Sequence, residues 1–239
     1  MFETISTSRP NKVLVIAAHP DDLEYCVAGT ISKWALEGTE SYFLICTSGE
    51  AGSHNKNIQP EQLASIRQDE QRKAGNILGV KEIKFLNYPD GTMQPSLELR
   101  RELTGMIRHY QPTAIMTWDP TQIIFNDSGL NHPDHLAVGN AALSAIMPSC
   151  DSPFIFPELL AEGLEPFKVH EIYLFGSEEN NIWIDIGQTI ELKIAALKCH
   201  NSQYENWEDL SEDIRESARN QGSNQNLPFA EAFRYLNIK

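Results

Sequence analysis

The amino-acid sequence predicts an α/β fold, a Rossmann-like three-layer αβα sandwich with a mainly parallel central sheet. Short apolar runs alternate with longer amphipathic segments that repeat with helical periodicity. This alternation of strand and helix favours parallel strands joined by right-handed crossovers, with helices on both faces of the sheet. The sequence has no internal repeat of fixed period, which argues against a solenoid or a propeller.

The first half of the chain contains four predicted strands separated by three predicted helices. The first strand is apolar throughout, as expected for a parallel strand that is buried on both faces. Two of the helices end at a glycine, Gly38 or Gly79, which is the common residue at that position. The predicted elements are strand 13–18, helix 28–38, strand 42–46, helix 61–79, strand 83–86, helix 97–110 and strand 113–118.

The second half continues the pattern less regularly. A helix is predicted over about residues 135–147, with Asp134 placed to cap its start. Residues 149–166 are irregular and rich in proline and apolar side chains, and we interpret them as a lid or an oligomer contact. Residues 220–239 are interpreted as a polar tail of a single domain that spans residues 1–239. The remaining predicted elements are strand 169–175, strand 182–186 and helix 189–200.

Composition and charge exclude several classes of protein. The chain is 41% hydrophobic and 22% charged, and it is long enough to bury a core without disulfide or metal support. Any bound metal is therefore expected to be catalytic. The net charge of -14 would repel nucleic-acid phosphates and anionic lipids, so neither is an expected partner. The longest apolar run, residues 13–18, is too short to span a membrane.

The cysteines and the N-terminal residues indicate a cellular location. The four cysteines form no CxxC pair and lack the spacing of a disulfide framework, so we expect free thiols. Residues 1–10 contain no apolar segment typical of a secretory signal peptide. Both observations favour the cytoplasm, where thiols stay reduced.

The loop after the first predicted strand is suited to a divalent metal. In a doubly wound fold, ligands bind beyond the carboxyl ends of the strands, where a dinucleotide-binding protein has a glycine-rich loop. Here the chain has His19, Pro20, Asp21 and Asp22 instead. The spacing of His19 and Asp22 across a turn allows both to face one point, and both are good zinc ligands. Asp21 is then free to act as a base. Alternatively, either aspartate only caps the following helix.

A second His-Pro-Asp segment follows the predicted strand 113–118 and a loop. It reads HPDH over residues 132–135, and it again precedes a helix. One of its histidines can complete a metal site while the other stands beside it. Together with His19 and Asp22, His135 would give three protein ligands and one open position, which is typical of catalytic zinc.

Such a site is suited to the hydrolysis of an amide. A zinc ion would polarise the carbonyl group of the substrate and lower the pKa of a water molecule. Asp21 is predicted to take the proton from that water, and His132 to stabilise the tetrahedral oxyanion. Either Asp21 or His132 would then protonate the amine leaving group.

At these residues the sequence resembles the LmbE-like (PIG-L type) N-acetylglucosaminyl de-N-acetylase family. The two family motifs correspond to residues 18–22 and 132–135, and the resemblance spans about residues 12–203. It implies a zinc-dependent deacetylase of an N-acetylglucosamine-type substrate, with Fe²⁺ as the alternative metal in the cell. The implied roles are zinc binding by His19, Asp22 and His135, general base catalysis by Asp21, assistance to the oxyanion or acid catalysis by His132, and substrate binding by Arg67, Asp90 and Glu50.

The resemblance has one departure and several simpler alternatives. Some family members place a tyrosine shortly before the second motif, whereas residues 125–131 contain none, so help of that kind must come from another group or be lacking. Arg67 could form only a salt bridge on a helix face. Asp90 and Gly91 could form only a turn.

Other functions remain open at this point. One is an amidase that cleaves a thiol-sugar conjugate at the same site. Another is a metal- or sugar-binding protein without turnover, although zinc binding alone would require neither Asp21 nor His132. An iron oxygenase with two histidines and one carboxylate is disfavoured by the α/β pattern. In the leading interpretation the partner is a small amino sugar, and the protein is a monomer or a homo-oligomer.

Overall fold

A seven-stranded sheet forms the centre of the computed structural model, which describes residues 9–125, 129–204 and 206–238. The predictions for residues 1–8 and 126–128 lie outside these ranges. The strands are β1 (Lys12–Ala17), β2 (Glu40–Thr47), β3 (Glu82–Tyr88), β4 (Ala114–Trp118), β5 (Ile124–Phe125), β6 (Gly129–Leu130), β7 (Glu171–Phe175), β8 (Ile182–Asp185) and β9 (Ala230–Asn237).

The order of strands in the large sheet is β3-β2-β1-β4-β7-β9-β8, and β5 pairs with β6 separately. The first five strands of that order are parallel, and β9 is antiparallel to both of its neighbours. The predicted α/β class and the mainly parallel sheet are therefore confirmed. The helices are α1 (Asp22–Cys26), α2 (Ala28–Leu36), α3 (Pro60–Leu78), α4 (Leu97–Tyr110), α5 (Pro133–Ser144), α6 (Glu158–Ala161), α7 (Ile190–Leu197) and α8 (Trp207–Ser223).

Alternate residues of β1 face two separate cores, which produces the three layers. Val13 and Val15 pack with residues of α1, α2, α3 and α7 on one face of the sheet. Leu14 and Ile16 pack with residues of α4 and α5 on the other face. All four side chains are buried, because a central parallel strand is covered on both sides.

The pairing of β1 with β4 determines where the two motifs meet. Ile16 lies opposite Thr117 in the register of these two parallel strands. The loops that carry the first and second motifs therefore leave the same edge of the sheet, side by side. This is the edge at which doubly wound folds bind ligands.

The structure corrects two predictions for the second half of the chain. Asp134 does not cap α5; instead His132 is the capping residue, and its Nδ1 accepts from the main-chain N–H of Asp134 at 3.2 Å. Residues 220–239 are not a tail, because α8 continues to Ser223 and β9 lies inside the sheet between β7 and β8. The alternation of β9 was obscured by Glu231, which is buried and charged.

Residues 149–166 are tied to α4 by one buried arginine. The guanidinium group of Arg108 donates hydrogen bonds to main-chain carbonyl groups of Ser149, Cys150, Ser152, Ile155 and Leu164. A role of this segment as a lid or an oligomer contact stays a prediction. Among the helices of the described part of the chain, none has the length and apolar character that crossing a bilayer requires.

Candidate active site

Asp22 is held at the end of β1 by three hydrogen bonds to one carboxylate oxygen. Its Oδ2 accepts from the main-chain N–H groups of Ala18 at 3.0 Å and His19 at 2.9 Å. The same oxygen accepts from the indole N–H of Trp118 at 3.0 Å. The second oxygen, Oδ1, is left to face the imidazole groups. Asp21, just before it, has a left-handed backbone with φ of 90°, which turns the chain into α1.

The three predicted metal ligands converge on one point. Asp22 Oδ1 lies 3.1 Å from His135 Nε2 and 3.6 Å from His19 Nδ1. The two imidazole nitrogens are 3.3 Å apart. Ligand atoms about 2.1 Å from a tetrahedral zinc ion would be separated by about 3.4 Å, so the three atoms fit such an ion.

The opposite nitrogen of each ring faces an acceptor. His19 Nε2 lies 3.1 Å from Asp90 Oδ1 and 3.3 Å from Asp134 Oδ2. His135 Nδ1 lies 2.8 Å from Asn131 Oδ1. In the neutral rings, which are the forms that bind a metal, these acceptors favour the tautomers that leave His19 Nδ1 and His135 Nε2 with free lone pairs. Metal-binding histidines commonly donate their second N–H to a carboxylate or an amide in this way.

The electrostatics of the cluster favour a cation. Burial lowers the pKa of His19, but the carboxylates of Asp22, Asp134 and Asp90 outweigh burial and raise it to about 12. Burial likewise opposes ionisation of Asp22, yet His135 and His19 hold its pKa well below the usual range. The site therefore stabilises positive charge at the point where the ligand atoms meet.

Two other sets of side chains in the described residues could hold a metal, since the ligand atoms within each set lie within 4.8 Å of one another. The first set is His19 with His132 and His135, and the second is His19 with Asp90 and Asp134. The second set is poorly suited to a metal, because both oxygens of Asp134 already accept main-chain N–H groups, from Gly91 at 2.7 Å and Met93 at 3.0 Å. In the first set, Nδ1 of His132 already accepts the N–H group of Asp134. The set of His19, Asp22 and His135 keeps an uncommitted ligand atom on each residue, so it is the best candidate.

Asp21 is buried beside this cluster with its own partners. Its Oδ1 lies 3.3 Å from Arg67 Nη2, and its Oδ2 accepts from the hydroxyl group of Tyr204 at 2.9 Å. Its main-chain N–H donates to Gln71 Oε1 at 3.0 Å. Burial raises the pKa of Asp21 to about 6, although Arg67 opposes the shift. A carboxylate with a pKa near 6 is suited to general base catalysis close to neutral pH.

His132 stands at the exposed side of the cluster, with its ring centroid 4.6 Å from that of His19. Since its Nδ1 accepts from the N–H of Asp134, the neutral ring carries its proton on Nε2. Partial burial and the nearby charge of His19 lower the pKa of His132, which favours that neutral form. Its Nε2–H is therefore available as a donor.

The three predicted substrate residues are brought to the site, where they contact other site groups. Arg67 is 4% exposed, and it donates to the carbonyl groups of Gly49 at 2.9 Å and Pro20 at 2.7 Å. Asp90 faces His19, and its main-chain N–H donates to Glu50 Oε1 at 2.9 Å. Arg67 thus supports the loops around Asp21. Contact of the three with substrate stays a prediction.

The side chains that contact the site but were not identified from the sequence include Gln71, Trp118, Asn131, Asp134 and Tyr204. Asp134 lies within the second motif and Asn131 directly precedes it, so their positions in the sequence could have identified both as site residues. Tyr204 follows the last segment that supports the family resemblance. For Trp118, the last residue of β4, the sequence offers only its place at the functional edge of the sheet.

The chain is similar to a known protein family and to known deacetylases. The family model described as PIG-L, GlcNAc-PI de-N-acetylase, matches residues 14–146. The diacetylchitobiose deacetylase of Thermococcus kodakarensis is 29% identical over 94% of this chain and 83% of that protein. A 1D-myo-inositol 2-acetamido-2-deoxy-alpha-D-glucopyranoside deacetylase of Saccharopolyspora erythraea is 24% identical over 85% of this chain and 81% of that protein.

The chain is also similar to a solved structure. The N,N'-diacetylchitobiose deacetylase from Pyrococcus horikoshii, in complex with an inhibitor, superposes with a TM-score of 0.88 at 32% identity, over 95% of this chain and 84% of that chain. The family model covers more than half of the chain and includes both motifs. The chain therefore belongs to the PIG-L (LmbE-like) de-N-acetylase family, as its two motifs predicted.

Proposed function

We propose that this protein is a zinc-dependent hydrolase that removes the N-acetyl group from an N-acetylglucosamine-type substrate. The observation that carries the proposal is the convergence of His19, Asp22 and His135 beside Asp21, a buried carboxylate whose pKa is raised to about 6. The relatives described above are deacetylases of sugars that carry this acetamide, which supports the same substrate class here.

His19, Asp22 and His135 would hold the metal. Two imidazoles and one carboxylate suit zinc, and Fe²⁺ is the alternative in the cell. When bound, the metal supplies Lewis acidity, which polarises the amide carbonyl and lowers the pKa of a water molecule. The four free cysteines support a reducing, cytoplasmic setting for the enzyme.

Asp21 acts as the general base. Arg67 and Tyr204 fix its two oxygens, so its carboxylate accepts the proton of the attacking water without having to reorganise. The hydroxyl of that water adds to the amide carbon and gives a tetrahedral oxyanion. When the C–N bond breaks, the proton on Asp21 passes to the nitrogen, which leaves as a free amine. Acetic acid remains, and it releases its proton to solvent to give acetate.

His132 donates from Nε2 to the developing oxyanion. The N–H of Asp134 occupies Nδ1, so the ring cannot present its lone pair in place of its proton. Such a donor matters most when the oxygen gains charge, in the transition state. In this role His132 replaces the tyrosine that some family members have before the second motif.

Glu50 is the residue that we assign to a sugar hydroxyl group. Its Oε1 accepts from Asp90, but its buried Oε2 has no hydrogen-bond partner within the described residues. A buried carboxylate oxygen without a donor is costly, and a substrate hydroxyl would satisfy it. Asp90 then holds two side chains in place: its main-chain N–H binds Glu50, and its carboxylate faces His19.

Free-amine release from a panel of substrates tests the proposal. The purified protein, with its metal content measured, is assayed on N-acetylglucosaminides, on thiol-sugar conjugates with larger amides and on acetyl-lysine peptides. We expect about one metal ion per chain and a kcat/KM that is highest for the glucosaminides. A metal-loaded protein that releases no amine from any glucosaminide would refute the proposal, and a preference for the conjugates would favour the amidase.

A further inference from the structure

Trp118 contacts two of the proposed metal ligands at once. Its indole N–H donates to Asp22 Oδ2 at 3.0 Å. Its ring stacks on the imidazole of His135, with centroids 3.7 Å apart and an angle of 9° between the planes. One side chain at the end of β4 therefore restrains a carboxylate from the first motif and an imidazole from the second.

The hydrogen bonds of Asp22 are divided unequally between its two oxygens. Oδ2 accepts from three N–H groups, whereas Oδ1 faces His135 and His19. A carboxylate oxygen has about two lone-pair directions, so three donors saturate Oδ2. Two of these donors belong to the same loop as Asp22 and would move with it. The indole comes from another strand and fixes the orientation of the carboxylate relative to the sheet.

The indole ring has little freedom to move. His135 covers one part of it, and the ring of Phe175 packs edge-on with centroids 4.9 Å apart. Gly176 passes so close that a Cβ atom at this position would lie 2.4 Å from Trp118 Cζ3. A ring confined in this way can hold both ligands in a single arrangement.

We propose that Trp118 is a positioning residue that restricts Asp22 to one ligand oxygen and fixes the plane of His135. The inference rests on the proposed function, because it takes Asp22 and His135 to be metal ligands. With Oδ2 committed to N–H groups, Asp22 occupies one coordination position and leaves room for water and substrate. Without the indole N–H, Oδ2 is held only by the two N–H groups of its own loop, so the carboxylate can turn with that loop, present both oxygens to the metal and close that position.

The test replaces Trp118 with phenylalanine, which keeps an aromatic ring on His135 but removes the N–H donor. Trp34→Phe is the matched control, since Trp34 is also a buried indole and packs on Tyr173, away from the site. Each protein is loaded with Co²⁺, whose visible absorption weakens as its coordination number rises. Zinc affinity is measured by competition with a chelator, and kcat by amine release.

For Trp118→Phe we expect weaker Co²⁺ absorption, a zinc affinity reduced about 10- to 100-fold and a lower kcat. Trp34→Phe should match the wild-type protein in all three measurements. A wild-type spectrum and affinity for Trp118→Phe would overturn the inference while leaving the proposed function intact. A wild-type protein that binds neither metal would instead refute the proposed function. Should Trp118→Phe not fold, Gly176→Ala displaces the same ring and should weaken the Co²⁺ absorption likewise; an unchanged spectrum would contradict the inference.

Discussion

Two buried groups of charged side chains differ in how their charges are balanced. The metal-site cluster consists of His19, Asp22 and His135. The ion-pair cluster consists of Lys193 and Glu231, whose Nζ and Oε1 atoms lie 2.6 Å apart. Both clusters lie in the interior of the protein. In the ion-pair cluster, the side chains of Lys193 and Glu231 are only 5% and 3% exposed.

In the ion-pair cluster, each charge is satisfied within the chain. Lys193 also donates to the carbonyl group of Tyr25, and Glu231 accepts the N–H groups of Gly29 and Thr30 at the start of α2. In the described residues, Asp22 forms its ion pairs with imidazoles alone, and their free nitrogens point at the same place. Burial of charge is common to both clusters, so it does not identify a functional site. A functional site is identified instead by free lone pairs that converge on one point.

Removing a ligand from the metal-site cluster should have the largest effect. His135→Ala is expected to lose tightly bound metal and to reduce kcat/KM about a thousand-fold or more, because the Lewis acid is no longer held. Metal analysis and amine release test this, with circular dichroism to show that the variant folds. Chelation of the wild-type protein should act in the same way. A variant that keeps both metal and rate would remove His135 from the site.

Breaking the ion-pair cluster should affect stability instead. Lys193→Met leaves the buried carboxylate of Glu231 without its cation and is expected to lower the free energy of unfolding by about 3–5 kcal/mol. Urea denaturation measures this change. Metal content and kcat of the folded variant should stay at wild-type values. If metal binding fell together with stability, the two clusters would not be independent.

Asp21→Asn tests the base without removing a ligand. The variant should bind metal as the wild-type protein does and lose about a hundred-fold in kcat, because an amide cannot take the proton of water. Asparagine also tolerates the left-handed backbone found at this position, so the loop should be preserved. Loss of metal in this variant would show that Asp21 and Asp22 share the ligand role.

The smallest effect concerns the dependence of activity on pH. Burial raises the pKa of Asp21 to about 6, so kcat/KM should fall at acid pH, with a midpoint no higher than about 6, as the base becomes protonated. A bound cation would move this midpoint lower, because it favours the carboxylate. The hydrogen bond from Tyr204 also lowers the pKa, so Tyr204→Phe should shift the midpoint upward by about half a unit to one unit. A midpoint unaffected by Tyr204→Phe would assign the titration to another group.

The sequence predicted those features that depend on neighbouring residues. The apolar character of β1 and the two glycine-ended helices gave the α/β order, and each motif lay before a helix at the end of a strand. The strand β9 was missed because Glu231 interrupts its apolar pattern. Glu231 pairs with Lys193, which is 38 residues away in the chain, so neighbouring residues give no reason for the buried glutamate. The proximity of Trp118 to Asp22 was equally unpredictable, since the two are 96 residues apart and meet only through strand pairing.

The register between β1 and β4 also bears on how the protein folds. His135 and Asp22 are 113 residues apart in the chain, so bringing them together closes a long loop and carries a considerable entropic cost. Contacts between residues this far apart slow folding, because the entropy of loop closure is lost before the contact can stabilise the chain, and we expect this contact to form after the local helices. During refolding in the presence of a metal-sensitive dye, zinc uptake should therefore be detected only after helix content has recovered. Zinc binding would then mark the point at which β1 and β4 have paired.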